Sequence, residues 1–310
     1  MKKILLIISI FLAISEAYSQ DLPFVQQYIF DQTLLNPALG AKYDFVSIKL
    51  SGVEQWMNMP NHPKNQTFSY NMKFNNNMGF NAALLNESYG EIQNSGIKFS
   101  YFYYTKLNVR GDYISYGVSG SAMNFQFNLS NDSQYSNDPT ISQSDLSYLY
   151  PNAGLGIYYH HDEISLGFSA GNLLPYKPKI SILVTEPTRT RTYFFYAETK
   201  FANPINTFAV IPSFLLSVNE DFNRQINIST KMVFNNTFWV GIAYRDALDG
   251  GIYAIHNALA MTGFKFFKRL NFSYGYDFSI LSSRSVIGGT HFFMLGYDFF
   301  NPRDKVPMYF

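Results

Sequence analysis

The residues best suited to chemistry in this 310-residue chain are its histidines, because the chain contains no cysteine. Disulfides, Fe–S clusters and thiol chemistry are thereby excluded. His160 and His161 adjoin Asp162 and Glu163, and these residue types are typical ligands of a metal ion. We expect all four in one tight hairpin turn, where neighbouring side chains diverge and converge poorly on a single ion. The sequence therefore favours a solvated turn over a metal site.

No other group of residues predicts catalysis. A hydrolase would need a nucleophile with a histidine and an acid as partners, and no recognisable spacing of Ser and His residues picks out such a set. The sequence has no glycine-rich phosphate loop after a strand and no metal-ligand pair at helical spacing. We therefore predict a protein that is not an enzyme and has no catalytic residue, cofactor or metal ion.

The clearest structural signal is an alternating pattern between Arg224 and Arg245. Apart from Thr230, apolar residues occupy the even positions from Ile226 to Phe234 and again from Phe238 to Tyr244, which predicts two strands with one apolar face each. The connection, Asn235–Thr237, has an odd number of residues and keeps both apolar sets on one face, with Phe234 opposite Phe238. Asn tolerates the left-handed conformation that such loops use. The segment therefore predicts a β-hairpin.

The chain begins with features of an exported protein. Two lysines precede an apolar run from Ile4 to Ile14, and small residues follow at Ala17 and Ser19. This pattern predicts a signal peptide over residues 1–19, and with no cysteine after it we expect no lipid anchor. Residues 20–310 would carry 21 basic and 21 acidic residues, so there is no net charge to attract nucleic acid.

The composition leaves two fold classes. The chain has 30 Phe and 24 Tyr but only 15% charged residues, and no apolar stretch after the signal approaches the roughly 18 residues of a membrane helix. An exported, aromatic-rich chain of this kind is either a secreted β-sandwich or an outer-membrane β-barrel, whose strands face lipid on one side.

Connection lengths favour the barrel. We predict about 14 antiparallel strands over residues 44–299. Alternate connections are short, such as His161–Asp162 and Asn235–Thr237, whereas the other set contains the three longest, Met57–Lys64, Asn128–Ser147 and Asn172–Thr190. Outer-membrane barrels have short turns on one side and long loops on the other. The predicted strands are Asp44–Glu54, Gln66–Phe74, Met78–Asn86, Gly96–Thr105, Asp112–Phe127, Asn152–His160, Glu163–Ala170, Arg191–Phe201, Phe208–Val218, Arg224–Phe234, Phe238–Arg245, Gly250–Phe264, Leu270–Phe278 and Thr290–Phe299.

Residues 20–43 are predicted to form a segment without strands, docked in or under the barrel. Pro23 and Pro37 with poor alternation argue against a strand, and the aromatic residues are too numerous for a free tail. Asn36 and Pro37 are the best candidates for an internal plug. On the lumen faces of the strands, charged residues such as Arg245, Lys231 and Lys49 are expected to pair with acids such as Asp298.

Two further positions attract attention. Trp56 ends the first predicted strand and is followed by a loop that contains Met57 and Met59. Its favoured role is in the aromatic girdle at the membrane interface, and contact with a partner protein is the alternative. Prolines at 302 and 307 exclude another strand, so residues 300–310, which end in Tyr309 and Phe310, are expected to form a periplasmic tail.

A run of motifs, collinear over nearly the whole mature chain, resembles one known family. The segments Gln27–Gln32 and Leu35–Ala38 are similar to the QYxFNQ…LNPA opening of the PorP/SprF family, with Asp31 in place of its Asn. The ending Pro307–Phe310 is similar to the family's PRYF, with Met308 in place of Arg. Further segments that resemble the family are Glu54–Trp56, Pro63–Thr67, Asn152–Tyr159, Phe238–Arg245, Gly275–Asp277 and His291–Phe299.

The resemblance implies an outer-membrane protein of Bacteroidota-type bacteria that belongs to the type IX secretion and gliding motility system. Such a protein would support the secretion or surface attachment of a partner cell-surface protein or adhesin, in contact with lipid and with secretion components. The candidate partner-binding residues are Trp56, Asn36, Pro37, Tyr309 and Phe310. The alternative is an outer-membrane transporter for hydrophobic small molecules, which the many Ser, Asn and Lys residues on the lumen-facing sets disfavour.

Overall fold

The computed structural model describes residues 28–42, 45–74, 77–108, 111–127, 146–161, 163–176, 190–205, 207–248, 257–279 and 288–299. The predicted signal peptide and the expected periplasmic tail lie outside the described residues, as do most residues of the two longest predicted connections. No helix in the described part of the chain has both the length and the apolar character needed to cross a membrane.

The strands form a closed antiparallel barrel. Fourteen strands complete the ring, and one short extra strand, β9, is added at one place. The ring closes because the last strand pairs with the first, from Val46 opposite Phe299 to Glu54 opposite His291. This confirms the predicted fold class. The strands are β1 Val46–Glu54, β2 Lys64–Lys73, β3 Met78–Tyr89, β4 Ile92–Lys106, β5 Tyr113–Phe127, β6 Leu146–His161, β7 Ile164–Gly171, β8 Thr192–Thr199, β9 Phe201–Ala202, β10 Phe208–Asn219, β11 Arg224–Phe234, β12 Phe238–Ala247, β13 Asn257–Phe266, β14 Leu270–Ser279 and β15 Thr290–Phe299.

The predicted hairpin is confirmed as β11 and β12. Phe234 lies opposite Phe238 and Met232 opposite Val240, as the odd loop requires. Asn235 and Asn236 adopt φ values of 49° and 51°, in the left-handed region that Asn tolerates. The apolar set faces outward, toward lipid, while Trp239 and its same-face neighbours are buried inside the barrel.

The strand predicted over Arg191–Phe201 is interrupted in the structure. It divides into β8 and β9, which pair with separate parts of β10. Pro212 of β10 lies opposite the interruption and has no N–H group to donate to a neighbouring strand. The backbone N–H of Lys200, at the break, donates instead to the carbonyl of Glu163 at 2.8 Å.

Strand β6 is longer than the predicted Asn152–His160. It pairs with β5 out to Phe127 opposite Leu146, so the polar connection is shorter than expected. Pro151 lies beyond the last β7 partner of β6, at Leu155, so its missing N–H costs no ladder bond on that side.

The connections confirm the predicted asymmetry. One end of the barrel has short turns at residues 74–77, 107–112, 162–163, 203–207, 235–237 and 267–269. The long connections lie at the other end, together with two short ones at residues 90–91 and 220–223. Because outer-membrane barrels keep short turns on the periplasmic side, we assign the short-turn end to the periplasm and the other end to the outside.

An aromatic row marks the periplasmic interface on the outer surface of β10 to β13. The rings of Phe208 and Phe234 are 5.2 Å apart, those of Phe234 and Phe238 are 5.9 Å apart, and those of Phe238 and Phe264 are 4.7 Å apart. A continuous row of this kind is typical of the aromatic girdle of an outer-membrane barrel.

Candidate functional site

The lumen of the barrel contains residues 28–42, here called the plug segment. Two short 3-10 helices, Gln32–Leu34 and Pro37–Lys42, make up most of it, and nearly all its residues are buried. Its hydrogen-bond partners include Lys49 of β1, Ser115 of β5 and Asn227 of β11. Because these partners lie on opposite walls of the barrel, the segment lies in the lumen.

Three lumen lysines hold the plug segment by its main chain. Lys98 of β4 donates to the carbonyl of Leu34 at 2.7 Å, and Lys231 of β11 donates to that of Ile29 at 3.0 Å. Lys49 of β1 donates to the carbonyl of Phe30 at 3.4 Å. Buried backbone carbonyls need a hydrogen-bond donor, and these three side-chain ammonium groups supply one.

The expected pairing of lumen cations with lumen acids is correct only in part. Arg245 lies 3.5 Å from Asp277, and Asp298 pairs with Lys265 at 2.9 Å. Lys231 is the exception, because its hydrogen bond goes to a carbonyl of the plug segment. The sequence contained no pattern that distinguishes these two kinds of partner.

Asp31 is the charged anchor of the plug segment. Its carboxylate lies 3.4 Å from the ammonium of Lys49 and accepts a hydrogen bond from Ser69 at 2.5 Å and from the Thr33 hydroxyl at 2.7 Å. Burial alone would raise the pKa of Asp31, but Lys49 and these hydrogen bonds outweigh burial and hold that pKa below its ordinary value. The carboxylate is therefore ionised at neutral pH and binds the segment to β1 and β2.

Asn36 and Pro37, predicted as candidate partner-binding residues, are buried in the lumen. The Asn36 amide donates to the carbonyls of Ile157 and Phe168 at 3.1 and 3.3 Å, on β6 and β7. Its side-chain oxygen accepts from the N–H of Ala38 at 2.9 Å. All these contacts are with the chain itself, so the two residues fix the path of the plug segment.

Two strand glycines make this path possible, and sequence reasoning missed them. A Cβ at Gly156 would lie 2.0 Å from the side-chain oxygen of Asn36, and a Cβ at Gly117 would lie 2.3 Å from the backbone N of Ala38. Glycine inside a strand often marks the close approach of another backbone. That signal was available in the sequence, but it does not say which backbone approaches.

Trp56 lies apart from these residues, in the outer connection 55–63. The connection is held on both sides, since the N–H of Trp56 donates to Gly289 at 3.1 Å and the N–H of Gly90 donates to Asn61 at 3.0 Å. Trp56, Met57 and Met59 are 39%, 46% and 43% exposed, and we call this group the outer apolar patch. Tyr309 and Phe310 lie outside the described residues.

A cavity of about 110 Å³, here called the outer cavity, lies above the plug segment in the outward half of the lumen. Leu34 and Leu35 of the plug segment form its floor. Its walls come from the outer parts of β3 to β8, and they include Leu85, Met123 and Phe194. The side chain of Lys98 also lines this cavity.

The histidine pair considered first does not form a cluster. His160 contacts the hydroxyl of Ser165 at 2.9 Å, while His161, on the other face of β6, contacts Asp112 at 2.6 Å. Asp162 lies outside the described residues. Within the part of the chain that the structure describes, no three His, Asp or Glu side chains lie close enough to hold a metal ion.

Comparison with known families decides the identity. A family model described as the type IX secretion system membrane protein PorP/SprF matches residues 17–297. This chain belongs to the PorP/SprF family. As a PorP/SprF protein with a closed 14-stranded barrel, it is an outer-membrane protein associated with type IX secretion.

Solved structures similar to this PorP/SprF chain are also outer-membrane barrels. The CymD monoaromatic hydrocarbon channel matches with a TM-score of 0.57 and 10% identity, over 89% of this chain and 93% of that one. The Pseudomonas putida toluene transporter TodX matches with a TM-score of 0.51 and 10% identity, over 92% and 94%. At such identity the likeness shows the fold alone. No curated protein sequence matches the chain.

Proposed function

We propose that this PorP/SprF barrel is a non-enzymatic component of type IX secretion that supports the secretion or surface attachment of a partner protein, such as an adhesin used in gliding motility. The observation that carries the proposal is the filled lumen. Residues 28–42 occupy it and are bonded to strands on opposite walls. A barrel closed in this way serves better as a membrane platform than as an open conduit.

The outer apolar patch is the proposed contact surface for the partner. It lies at the end opposite the short turns, where a secreted protein would meet the barrel. Trp is enriched among the residues that dominate binding energy at interfaces, and Met side chains adapt to varied partners. The connection that carries Trp56 is held by its neighbours, so little conformational entropy would be lost on binding.

The other predicted residues take different parts in the proposal. Asn36 and Pro37 act indirectly, because they fix the plug segment beneath the outer surface. Tyr309 and Phe310 are proposed to contact secretion components on the periplasmic side, a role that rests on the family resemblance of the chain's ending.

Capture of partners from outer membranes tests the proposal. A tagged chain, solubilised in detergent, should recover a secreted surface protein or a secretion component. Trp56→Ala should lower that recovery by about 10-fold or more, because truncating a central Trp typically costs about 2 kcal/mol or more of binding energy. Phe222→Ala is the matched control, since Phe222 is an aromatic residue, 77% exposed, in a different outer connection. Equal recovery with wild type and Trp56→Ala would remove the patch from the proposal.

A transporter for hydrophobic small molecules is the second candidate. The apolar walls of the outer cavity favour it, and two barrels of similar fold carry the names monoaromatic hydrocarbon channel and toluene transporter. If a strain without this chain lost toluene uptake, and the tagged chain captured no surface protein, the transporter would replace the secretion role.

A further inference from the structure

We infer that the outer cavity is a binding site for a small carboxylate with an apolar body. The inference rests on the lining of the cavity and not on the proposed secretion role. It concerns binding from the outside only, because the plug segment closes the cavity from below.

The apolar part of the site is a pocket of defined size. Leu34 and Leu35 form the floor, and Leu85, Met123 and Phe194 form the walls. The volume of about 110 Å³ is somewhat smaller than the roughly 150 Å³ of an apolar cavity known to hold benzene, and this cavity is not fully enclosed. A single aromatic ring or a short aliphatic chain fits such a space.

Lys98 supplies the charge. Of the described residues that line the cavity, it is the only Lys, Arg, His, Asp or Glu. Its ammonium has three N–H donors, and the carbonyl of Leu34, at 2.7 Å, takes one. Within the described part of the chain no second acceptor lies within hydrogen-bonding distance of this nitrogen. Two donors thus remain for an anion, and an ammonium beside apolar walls gains from a charged acceptor.

Several polar residues of the lining are already hydrogen-bonded to one another. The Asn152 amide donates to the side-chain oxygen of Asn172 at 2.9 Å, and the Tyr150 hydroxyl donates to that of Asn94 at 3.1 Å. These pairs fix the polar part of the lining and add no second charge. The site therefore selects an anion over a neutral or cationic ligand of the same shape.

The same chemistry is available from two sources. One is a free acid such as an arylacetate, and the other is the C-terminal carboxylate of a polypeptide that ends in an apolar residue. Both place one carboxylate on Lys98 and one apolar group in the pocket.

The test uses the purified full chain in detergent and isothermal titration with three probes: phenylacetate, its neutral amide, and N-acetyl-Gly-Gly-Phe with a free carboxylate. Binding of phenylacetate, of the peptide or of both, without binding of the amide, is expected. Lys98→Met should weaken binding by about 10-fold or more, the loss typical of a charged hydrogen bond. Lys231→Met is the matched control, because Lys231 also donates to a plug carbonyl but does not line the cavity.

A second variant covers the possibility that Lys98→Met disturbs the plug segment. Leu85→Trp fills the cavity and leaves the bond between Lys98 and Leu34 in place, so it should also abolish binding. Phenylacetate binding alone assigns the site to free acids, whereas peptide binding alone assigns it to chain termini, and either supports the inference. The inference is overturned if neither acid binds wild type, if the amide binds as tightly, or if binding survives both Lys98→Met and Leu85→Trp.

Discussion

At the residue scale, the position of the plug segment depends on two strand glycines that have no side chain. Gly117 and Gly156 have no Cβ, and the space this leaves is taken by Asn36 and the main chain that follows it. Asn36 then bonds to carbonyls of β6 and β7. A buried amide whose donors and acceptor are all hydrogen-bonded fixes one position of the segment, because any shift would leave polar groups unpaired.

Gly156→Ala should therefore destabilise the folded protein. The added methyl would meet Asn36 at 2.0 Å, and overpacking of this kind typically costs about 1–3 kcal/mol. The measurement is the temperature at which the compact barrel is lost on cold gel electrophoresis in SDS. Gly120→Ala is the control, because a Cβ at Gly120 meets nothing within 4 Å. Equal melting temperatures for the two variants would contradict the close approach at Gly156.

At the element scale, the hairpin of β11 and β12 shows how a turn sets the face of a strand. The three-residue loop pairs Phe234 with Phe238 and keeps both apolar sets toward lipid. A shift of one residue would turn Phe238 and its alternate neighbours into the lumen and Trp239 outward.

Deletion of Asn236 should abolish the folded barrel for this reason, since an even loop cannot keep both faces aligned. Folding into detergent micelles, followed by the same gel assay, measures the outcome. Asn236→Gly preserves the loop length and the left-handed φ of 51°, so this variant should fold like wild type. A deletion variant that folds fully would show that loop length does not control register here.

Much of the fold at this scale could be predicted from the sequence, because alternation and loop parity are local. The faces of β11 and β12 and their register follow from residues within one hairpin. The break between β8 and β9 could not be predicted, because it depends on Pro212 in another strand. The outer cavity was also beyond reach, since Lys98 and Leu34 meet only after the barrel closes.

The candidate site was predicted less well than the fold. Asn36 and Pro37 were predicted in a plug because prolines and clustered aromatics argue against a strand there. The lysine contacts were missed, because a carbonyl acceptor belongs to every residue type and leaves no trace in sequence. The exposure of Trp56 beside Met57 and Met59 could not be predicted, because it depends on backbone hydrogen bonds between its loop and neighbouring connections.

At the scale of the whole molecule, the protein is a barrel whose lumen is occupied by its own plug segment. The plug segment precedes β1 in the chain and bonds to strands around the ring, including β1, β4, β5 and β11. The lumen face of the barrel is rich in polar groups such as Ser47, Asn81 and Ser273, which water would otherwise solvate.

Removal of residues 28–42 should open a water-filled pore. In planar lipid bilayers the deletion variant should conduct ions well above the wild-type level, because the polar lumen would then be continuous. The gel assay must first show that the variant folds, and Gly120→Ala serves as a folded control with an intact plug segment. A folded deletion variant that conducts no more than wild type would show that other parts of the chain also close the lumen.

Main-chain carbonyls of the plug segment accept hydrogen bonds from Lys49, Lys98 and Lys231, and this has a consequence for evolution. These bonds survive the replacement of Ile29, Phe30 or Leu34 by almost any other residue, because the carbonyl group stays the same. By contrast, Asp31 and Asn36 are bound through several atoms of their own side chains. Related chains can therefore vary the side chains that face the outer cavity while the plug segment stays in place. The same barrel could in this way come to bind different ligands in that cavity.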